Sequence, residues 1–237
     1  MSASTRIELS QGVVLHHYPY RDSSVILEVF TREHGRLGII ARGVRSQKSR
    51  IRSDVQPFRQ LRLSWNMRGE LGTLTHIETT RSYPQPQIPA LYSAYYLNEL
   101  MMRLLARHDP HPVLFDTYIE TLTALFEHQA VEPRLRYFEK CLLEELGYGL
   151  VLDVDVETGE ALDPDRYYEY RFEHGPVAAR EGHTGVVFQG SHLLAIAANT
   201  FQRDDVLSDA KRLMRYILSG YLGDKPLKTR ELFRQLN

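Results

Sequence analysis

The chain has 237 residues, of which 43% are hydrophobic and 25% charged, the balance of an ordinary globular protein of one or two domains. Its single cysteine, Cys141, excludes an intramolecular disulfide and a four-cysteine metal site. The net charge of −1 hides an asymmetry, because residues 1–83 contain 13 Lys and Arg against 7 Asp and Glu, while the remainder is acidic. The first third is therefore the part expected to meet a polyanion.

The start of the chain, MSASTRIELSQG, lacks the basic residues, apolar run and cleavage site of a signal peptide. No stretch reaches the roughly 18 apolar residues of a membrane span. We therefore expect a cytoplasmic protein without a membrane partner.

The first 83 residues predict a small β-barrel. Five runs with strand-like patterns are separated by turn signals, at 12–18, 23–31, 36–42, 57–65 and 71–80. A basic domain of five strands favours an OB barrel, although an SH3-like barrel fits the strand count about as well.

The proline-rich segment PQPQIP (84–89) predicts a linker to a second domain, residues 90–237. Beyond the linker the apolar period becomes helical, which predicts a helical bundle built from segments 90–108, 112–129, 132–147, 192–199, 204–222 and 226–236. Between the third and fourth of these, residues 151–190 contain nine acidic residues and two short β-like runs, at 167–173 and 184–190. The sequence thus predicts an α+β chain: an OB barrel, then a helical domain with an irregular β lobe inserted.

The segment ARGVRSQKSRIRS (41–53) is the strongest candidate for a functional site. Five cations occur there without an interrupting acid: Arg42, Arg45, Lys48, Arg50 and Arg52. A long connection where a short turn would suffice is typical of a functional or disordered loop. A flexible Lys/Arg loop can neutralise phosphates without sequence preference. The alternative is an ordinary solvated surface loop.

Aromatic residues beside cations in the neighbouring loops suggest a stacking platform for unpaired bases. The first loop contains Tyr18, Tyr20 and Arg21, and the turn after the fourth strand contains Trp65 and Arg68. OB folds present ligands on these loops. For any one of these aromatics the alternative is a place in the core, which we expect for Phe30 and Phe58.

The sequence offers little for catalysis. It contains no G-x-S-x-G motif, and GYLGDK (220–225) lacks both the glycine spacing and the Ser or Thr of a phosphate-binding loop. The acidic stretch 153–165 matches an EF-hand only loosely. We therefore expect a protein without enzymatic activity, cofactor or metal.

Several segments, in order along nearly the whole chain, resemble RecO-type proteins of bacterial recombinational repair. They are VFTREHGRLGIIARGVRSQKSR (29–50), QPF (56–58), GELGTL (69–74), YLNEL (96–100), RYFEKCLLEELGYG (136–149), AKR (210–212) and YLGDKPLKTRELFRQL (221–236). The resemblance implies an OB fold followed by a helical domain, binding of single- and double-stranded DNA, and annealing of strands without ATP. It also implies two partners, RecR and the acidic carboxyl-terminal tail of the single-stranded DNA-binding protein (SSB), with which recombinase is loaded onto coated single strands.

The resemblance also suggests site residues. For DNA contact these are Arg36, Arg42, Arg45, Lys48, Arg50 and Arg52, with a second basic surface formed by Lys211, Arg212, Lys225, Lys228 and Arg230. For the SSB tail we expect Arg136 beside Tyr137 and Leu143, the alternative being an ordinary helix-surface arginine. Many relatives carry a four-cysteine zinc module at about 151–185, where this chain has no cysteine, so zinc is not expected.

Three hypotheses follow from the sequence. The first is a DNA-binding recombination mediator located at the nucleoid. The second is an adaptor whose OB barrel binds a peptide instead of DNA. The third is a nuclease or phosphatase that uses the acidic stretch 153–165.

Overall fold

A computed structural model describes residues 5–127, 131–182 and 185–229, and these fall into two compact units. The first contains residues 5–127 together with 227–229, and the second contains the described residues between 131 and 226. The predicted linker at 84–89 separates strands from helices in sequence, whereas the compact units divide near residues 129 and 226. The domain division at 84–89 stays a prediction.

Five strands form a closed barrel in the first unit. They are β1 (Thr5–Tyr20), β2 (Ser24–Thr31), β3 (Gly35–Ala41), β4 (Gln60–Arg68) and β5 (Leu71–Arg81). Their order is β1-β2-β3-β5-β4, with β4 pairing back onto β1 and only β3 and β5 running parallel. This is a five-stranded barrel of the OB type, so the predicted α+β class and barrel are confirmed.

Apolar side chains fill the barrel, among them Leu27, Ile39, Leu63 and Trp65, each no more than 1% exposed. Gly72 makes room for the largest of them. A Cβ at this position would lie 2.7 Å from Cδ1 of Trp65, so a side chain here would displace the indole.

Two helices, α1 (Ile88–Leu104) and α2 (Pro112–Phe126), pack in the same unit as the barrel. Phe115 meets the outer side chain Phe30 with ring centroids 5.6 Å apart. The buried Asn98 donates to the Leu15 carbonyl at 2.8 Å and accepts from the Tyr118 hydroxyl at 2.5 Å. The apolar stripes of α1 and α2 therefore cover barrel residues, and the single helical domain 90–237 stays a prediction.

The chain returns to the first unit at its carboxyl end. The Glu99 carboxylate accepts hydrogen bonds from the backbone N–H groups of Lys228 and Thr229, at 2.8 and 2.9 Å, and from the Thr229 hydroxyl at 2.7 Å. The rest of the predicted final helix, 230–236, lies outside the described residues.

The second unit combines helices with a three-stranded antiparallel sheet of order β7-β6-β8. Its elements are α3 (Val131–Glu145), β6 (Tyr167–Arg171), β7 (Gly175–Ala178), β8 (Val186–Gln189), α4 (Gly190–Ala197) and α5 (Asp204–Leu222). The free thiol Cys141 is buried, as expected. Within the described part of the chain no helix is long and apolar enough to span a membrane, and no group of three or more His, Cys, Asp or Glu is placed to hold a metal ion.

Three strands differ from their predicted bounds. β1 begins at Thr5, well before residue 12, because its polar start pairs with β4 and closes the barrel. β4 begins at Gln60 and not at residue 57, because Phe58 adopts a φ of 65° and packs its ring 4.8 Å from that of Tyr95. β7 was not predicted, since a four-residue strand with a glycine and a proline has no distinct pattern.

Candidate nucleic-acid interface

The β1–β2 turn and the loop from β3 to β4 meet at one end of the barrel. We call residues 42–59 the cationic loop. The Arg45 backbone N–H donates to the Ser23 carbonyl at 2.9 Å, and its guanidinium donates to the Arg21 carbonyl at 3.2 Å. The Arg21 guanidinium in turn lies 5.1 Å from the centroid of the Tyr20 ring. Cations and an aromatic ring are thus brought together from two separate segments.

The cationic loop packs against the barrel through several of its own side chains. Val44 and Val55 are buried in the barrel core, and Ile51 packs against the same core. Asp54 accepts a hydrogen bond from the Thr79 hydroxyl of β5 at 2.8 Å. The loop therefore closes one end of the barrel, and its anchored backbone places the exposed cations at that end.

The arginines of this loop have different roles. The Arg52 guanidinium donates to three carbonyls of the loop, those of Val44, Arg45 and Ser46, at 3.4, 3.2 and 2.8 Å. It therefore stabilises the turn and is less available to phosphate than predicted. Three cations of the loop, Arg42, Lys48 and Arg50, are exposed, and no side-chain partner for them is found among residues 5–127, 131–182 and 185–229.

Aromatic side chains lie on the outer face of the barrel near the same end. Tyr18 is exposed, and its ring lies edge-on to His16 with centroids 4.5 Å apart. Burial lowers the pKa of His16, and His17 and Lys228 lower it further, although Glu28 raises it. His16 is therefore neutral at physiological pH, and this face offers uncharged rings to a base.

Arg36, predicted to contact DNA, is tied to its neighbours. Its guanidinium donates to the Leu105 carbonyl at 3.2 and 3.0 Å and to the Glu28 carboxylate at 3.2 Å. Its side chain is only 14% exposed, and burial lowers its pKa. Arg36 therefore joins β3 to the segment after α1, so its assignment as a phosphate contact is not supported by its geometry.

Arg107 was not predicted, yet it shares the same carboxylate. Its guanidinium is paired with Glu28, and its side chain is 34% exposed beside Gly38 of β3. Because one carboxylate faces two guanidinium groups, this part of the barrel face keeps a positive charge. In sequence Arg107 looks like the last turn of a helix, and only the close approach of β3 gives it another role.

Trp65, predicted to stack on bases, lies in the barrel core and is 1% exposed. This assignment is wrong, because strand alternation points residue 65 inward together with Leu63 and Leu61. Arg68, at the end of β4, is exposed and stays a candidate. Phe30 and Phe58 are buried, as predicted.

The position of Trp65 can be checked in solution, since it is the only tryptophan of the chain. We expect its fluorescence intensity to stay unchanged when a thymidine oligonucleotide is added, because bases cannot reach the buried ring. Anisotropy of a labelled oligonucleotide in the same sample would report whether binding occurs. Quenching that saturates with binding would contradict the buried position.

Comparisons with known proteins identify the family. A model described as "Recombination protein O N terminal" matches residues 6–83, and one described as "Recombination protein O C terminal" matches residues 85–231. The chain belongs to the RecO family of DNA repair proteins. A DNA repair protein RecO from Methylococcus capsulatus is 44% identical over 230 residues, covering 97% of this chain and 94% of the relative. One from Haemophilus influenzae is 44% identical over 229 residues, covering 96% of each chain.

The cations predicted to form a second basic surface do not form a group of unpaired side chains in one compact unit of this RecO-family chain. Lys211 pairs with Glu132 at 2.8 Å. Arg212 pairs with Asp209 at 3.2 Å and lies 4.5 Å from the centroid of the Phe188 ring. Lys225 and Lys228 are exposed but belong to different compact units, and Arg230 lies outside the described residues.

The residues predicted to hold the SSB tail are mostly buried. The Arg136 side chain is 7% exposed and pairs with Glu139 on the next turn of α3 at 2.9 Å. Leu143 is fully buried and Tyr137 is exposed. The expected cation beside a surface groove is therefore wrong at this position, because α3 turns Arg136 and Leu143 into the unit.

The acidic stretch 153–165 serves turns and ion pairs. The buried Asp155 accepts from the backbone N–H groups of Glu157 and Ala178, at 2.9 and 3.0 Å. Glu157 pairs with Arg171 at 2.8 Å and with Arg180 at 2.7 Å. These contacts give the carboxylates structural roles, and nothing in the described residues favours the nuclease hypothesis.

Proposed function

We propose that this RecO-family protein binds single- and double-stranded DNA through the barrel end, anneals complementary strands without nucleotide, and acts in recombinational repair without breaking a covalent bond. The observation that carries the proposal is the meeting of the cationic loop with Tyr20 and Arg21 at one end of an OB barrel. OB folds use the face of strands β2 and β3 and the adjoining loops for oligonucleotides.

The proposed phosphate contacts are the exposed cations Arg42, Arg45, Lys48 and Arg50, with Arg68 and Arg107 at the edges of the same domain. They project from a loop that packs on the barrel, so little backbone conformational entropy is lost when phosphates bind. Contacts of this kind do not depend on base sequence, which suits a protein that must act wherever DNA is damaged.

Base contacts are proposed for Tyr18 and Tyr20, with Arg21 stacked beside the second ring. Each stacked base contributes about 1–3 kcal/mol. Annealing is then a matter of charge and geometry: cations reduce the repulsion between two phosphate backbones, while rings hold unpaired bases outward. No energy source is required, because base pairing itself favours the duplex.

The partners implied by the resemblance, RecR and the SSB tail, belong to the same proposal. Together with RecR the protein would help to load recombinase on SSB-coated single strands, in the cytoplasm at the nucleoid. The tail is acidic, so its binding site requires a cation other than the buried Arg136.

The function is tested by annealing of complementary oligonucleotides without nucleotide, first naked and then coated with cognate SSB. We expect the protein to accelerate annealing of both. Acceleration of neither, at an ionic strength near 0.15 M, would remove the proposal in favour of the peptide-binding adaptor.

The residues are tested by the salt dependence of single-strand binding. Changing Arg42, Lys48 and Arg50 to alanine is expected to reduce the slope of log Kobs against log salt by about 2 units, at about 0.7 per lost contact. The control changes three other exposed arginines of the same unit, Arg6, Arg62 and Arg81, so that the net charge falls equally. Equal slopes for the two triple variants would show that binding depends on net charge alone.

A further inference from the structure

The second unit contains a cavity of about 230 Å³ that no part of the proposed DNA interface uses. Its lining includes Tyr148, Tyr170, Glu173, His174, Ile217 and Tyr221. Sites for drug-sized molecules occupy roughly 300–1,000 Å³, so this cavity is suited to a smaller group, such as one side chain of a partner.

Aromatic rings form one wall of the cavity. Tyr148 and Tyr221 are stacked, with centroids 4.0 Å apart and an angle of 20° between their planes. Phe172 packs against Tyr221 at 4.9 Å and fixes its position. Tyr148 is exposed, so one ring of the wall is accessible to a ligand. Burial raises the pKa of Tyr170 to about 12, so this hydroxyl is uncharged at neutral pH. The faces of such rings attract cations.

Glu173 supplies a negative charge at the same cavity. It is exposed, and no partner for its carboxylate is found in the part of the chain that the structure describes. Burial raises the pKa of Tyr221 and the charge of Glu173 raises it further, which indicates that the carboxylate lies near that ring. Glu173 has a φ of 61°, which belongs to the tight turn between β6 and β7.

The charge around the cavity selects among ligands. Residues 151–190, which we call the acidic lobe, contain nine Asp and Glu against three arginines. Two of these arginines are already paired with Glu157. The lobe therefore repels the phosphates of DNA and attracts a basic segment.

We propose that this cavity binds an arginine or lysine side chain from a basic segment of a protein partner. The cation would lie against the exposed outer face of the stacked Tyr148 ring, with its charge opposite the Glu173 carboxylate. The remaining carboxylates of the acidic lobe would attract the neighbouring basic residues of the segment. This interaction is independent of DNA binding at the barrel.

The proposal is tested with the full chain and a fluorescein-labelled decapeptide of alternating glycine and arginine, followed by anisotropy. The matched peptide replaces arginine by citrulline, which has nearly the same shape without the charge. We expect the arginine peptide to bind and the citrulline peptide to bind at least tenfold more weakly. Equal binding of both peptides would overturn the proposal.

Three variants locate the binding. Glu173→Gln is expected to weaken the arginine peptide about fivefold, the effect of losing one exposed charge pair. Glu181→Gln, the same charge change at an exposed position of the acidic lobe outside the cavity lining, should weaken it less than about twofold. Tyr148→Ala should weaken it about threefold, while Tyr148→Phe keeps a ring face and should bind like the parent.

Two results would overturn the assignment. Equal effects of Glu173→Gln and Glu181→Gln would mean diffuse attraction to the acidic lobe. Loss of affinity for a thymidine oligonucleotide in Tyr148→Ala, with the arginine peptide unaffected, would mean that the rings stack on bases. Since Glu173 is exposed, its replacement leaves the fold intact and keeps the test decisive even if a tyrosine variant is unstable.

Discussion

Replacement of Glu28 by glutamine is expected to destabilise the first unit by about 3 kcal/mol. The Glu28 side chain is 5% exposed and lies between the guanidinium groups of Arg36 and Arg107. A neutral amide would leave these two cations facing each other in a partly desolvated place, where burial already lowers the pKa of Arg36. Removing one partner of a buried pair costs roughly 3–5 kcal/mol, and the partial exposure of Arg107 places this case at the lower end.

The measurement is urea unfolding followed by the fluorescence of Trp65, which lies in the same unit. The control is Asp116→Asn, which breaks the Arg32–Asp116 pair at 2.9 Å, where both side chains are 40% or more exposed. An exposed pair is worth at most about 1 kcal/mol. Similar losses in the two variants would show that Glu28 is not a buried counter-ion.

Replacement of Lys140 by methionine is expected to destabilise the second unit by about 3 kcal/mol. The buried ammonium donates to the carbonyls of Ile196 and Ala197 at 2.8 and 2.9 Å, and to Oδ1 of Asn199 at 2.7 Å. It thereby satisfies the end of α4, where carbonyls lack helical partners. Burial lowers the pKa of Lys140, and methionine keeps the apolar stem while removing all three donors. Hydrogen bonds to a charged group contribute about 1.5–3 kcal/mol each, offset here by the cost of burying the ammonium.

Hydrogen exchange of the α4 amides measures this loss in the second unit, which has no tryptophan. Lys211→Met is the matched control, because this exposed lysine of the same unit pairs with Glu132 at 2.8 Å. Replacing Lys211 should change the free energy of opening of the α4 amides by less than about 1 kcal/mol. Unchanged protection of α4 in Lys140→Met would show that water satisfies these carbonyls equally well.

The barrel could be predicted from the sequence because strand alternation and turn residues are local signals. Trp65 could not be assigned by the same signals. The residues next to Trp65 in sequence resemble those around a base-stacking residue in an OB loop. Whether its side chain points into the barrel depends on the residue at which β4 begins. That start is set by the unusual backbone of Phe58, which tertiary packing stabilises.

The charged site was predicted in outline and changed in detail. Arg42, Arg50 and Arg52 look alike in sequence, but only Arg52 folds back on loop carbonyls. Arg36 meets the buried carboxylate of Glu28, which lies on another strand and comes close only after folding. The Arg136–Glu139 pair is local to α3, but its burial depends on how that helix packs. The direction of a guanidinium is a tertiary property, because its long stem reaches either solvent or a neighbouring chain segment.

Helix packing illustrates the same limit. The apolar stripe of α1 shows that one side is buried, but not which surface covers it. Asn98 could have indicated which surface covers the stripe, because a buried polar side chain needs a hydrogen-bond partner. Its partners are the backbone of β1 and the hydroxyl of Tyr118.

The three bonds from Lys228 and Thr229 to Glu99 bear on how the protein matures during translation. Their donors emerge from the ribosome about a hundred residues after the barrel and its two helices, and only once the intervening segment has been synthesised. A barrel that folds during translation therefore exists for several seconds without these three hydrogen bonds. A chain that ends before residue 228 leaves the Glu99 carboxylate without these donors.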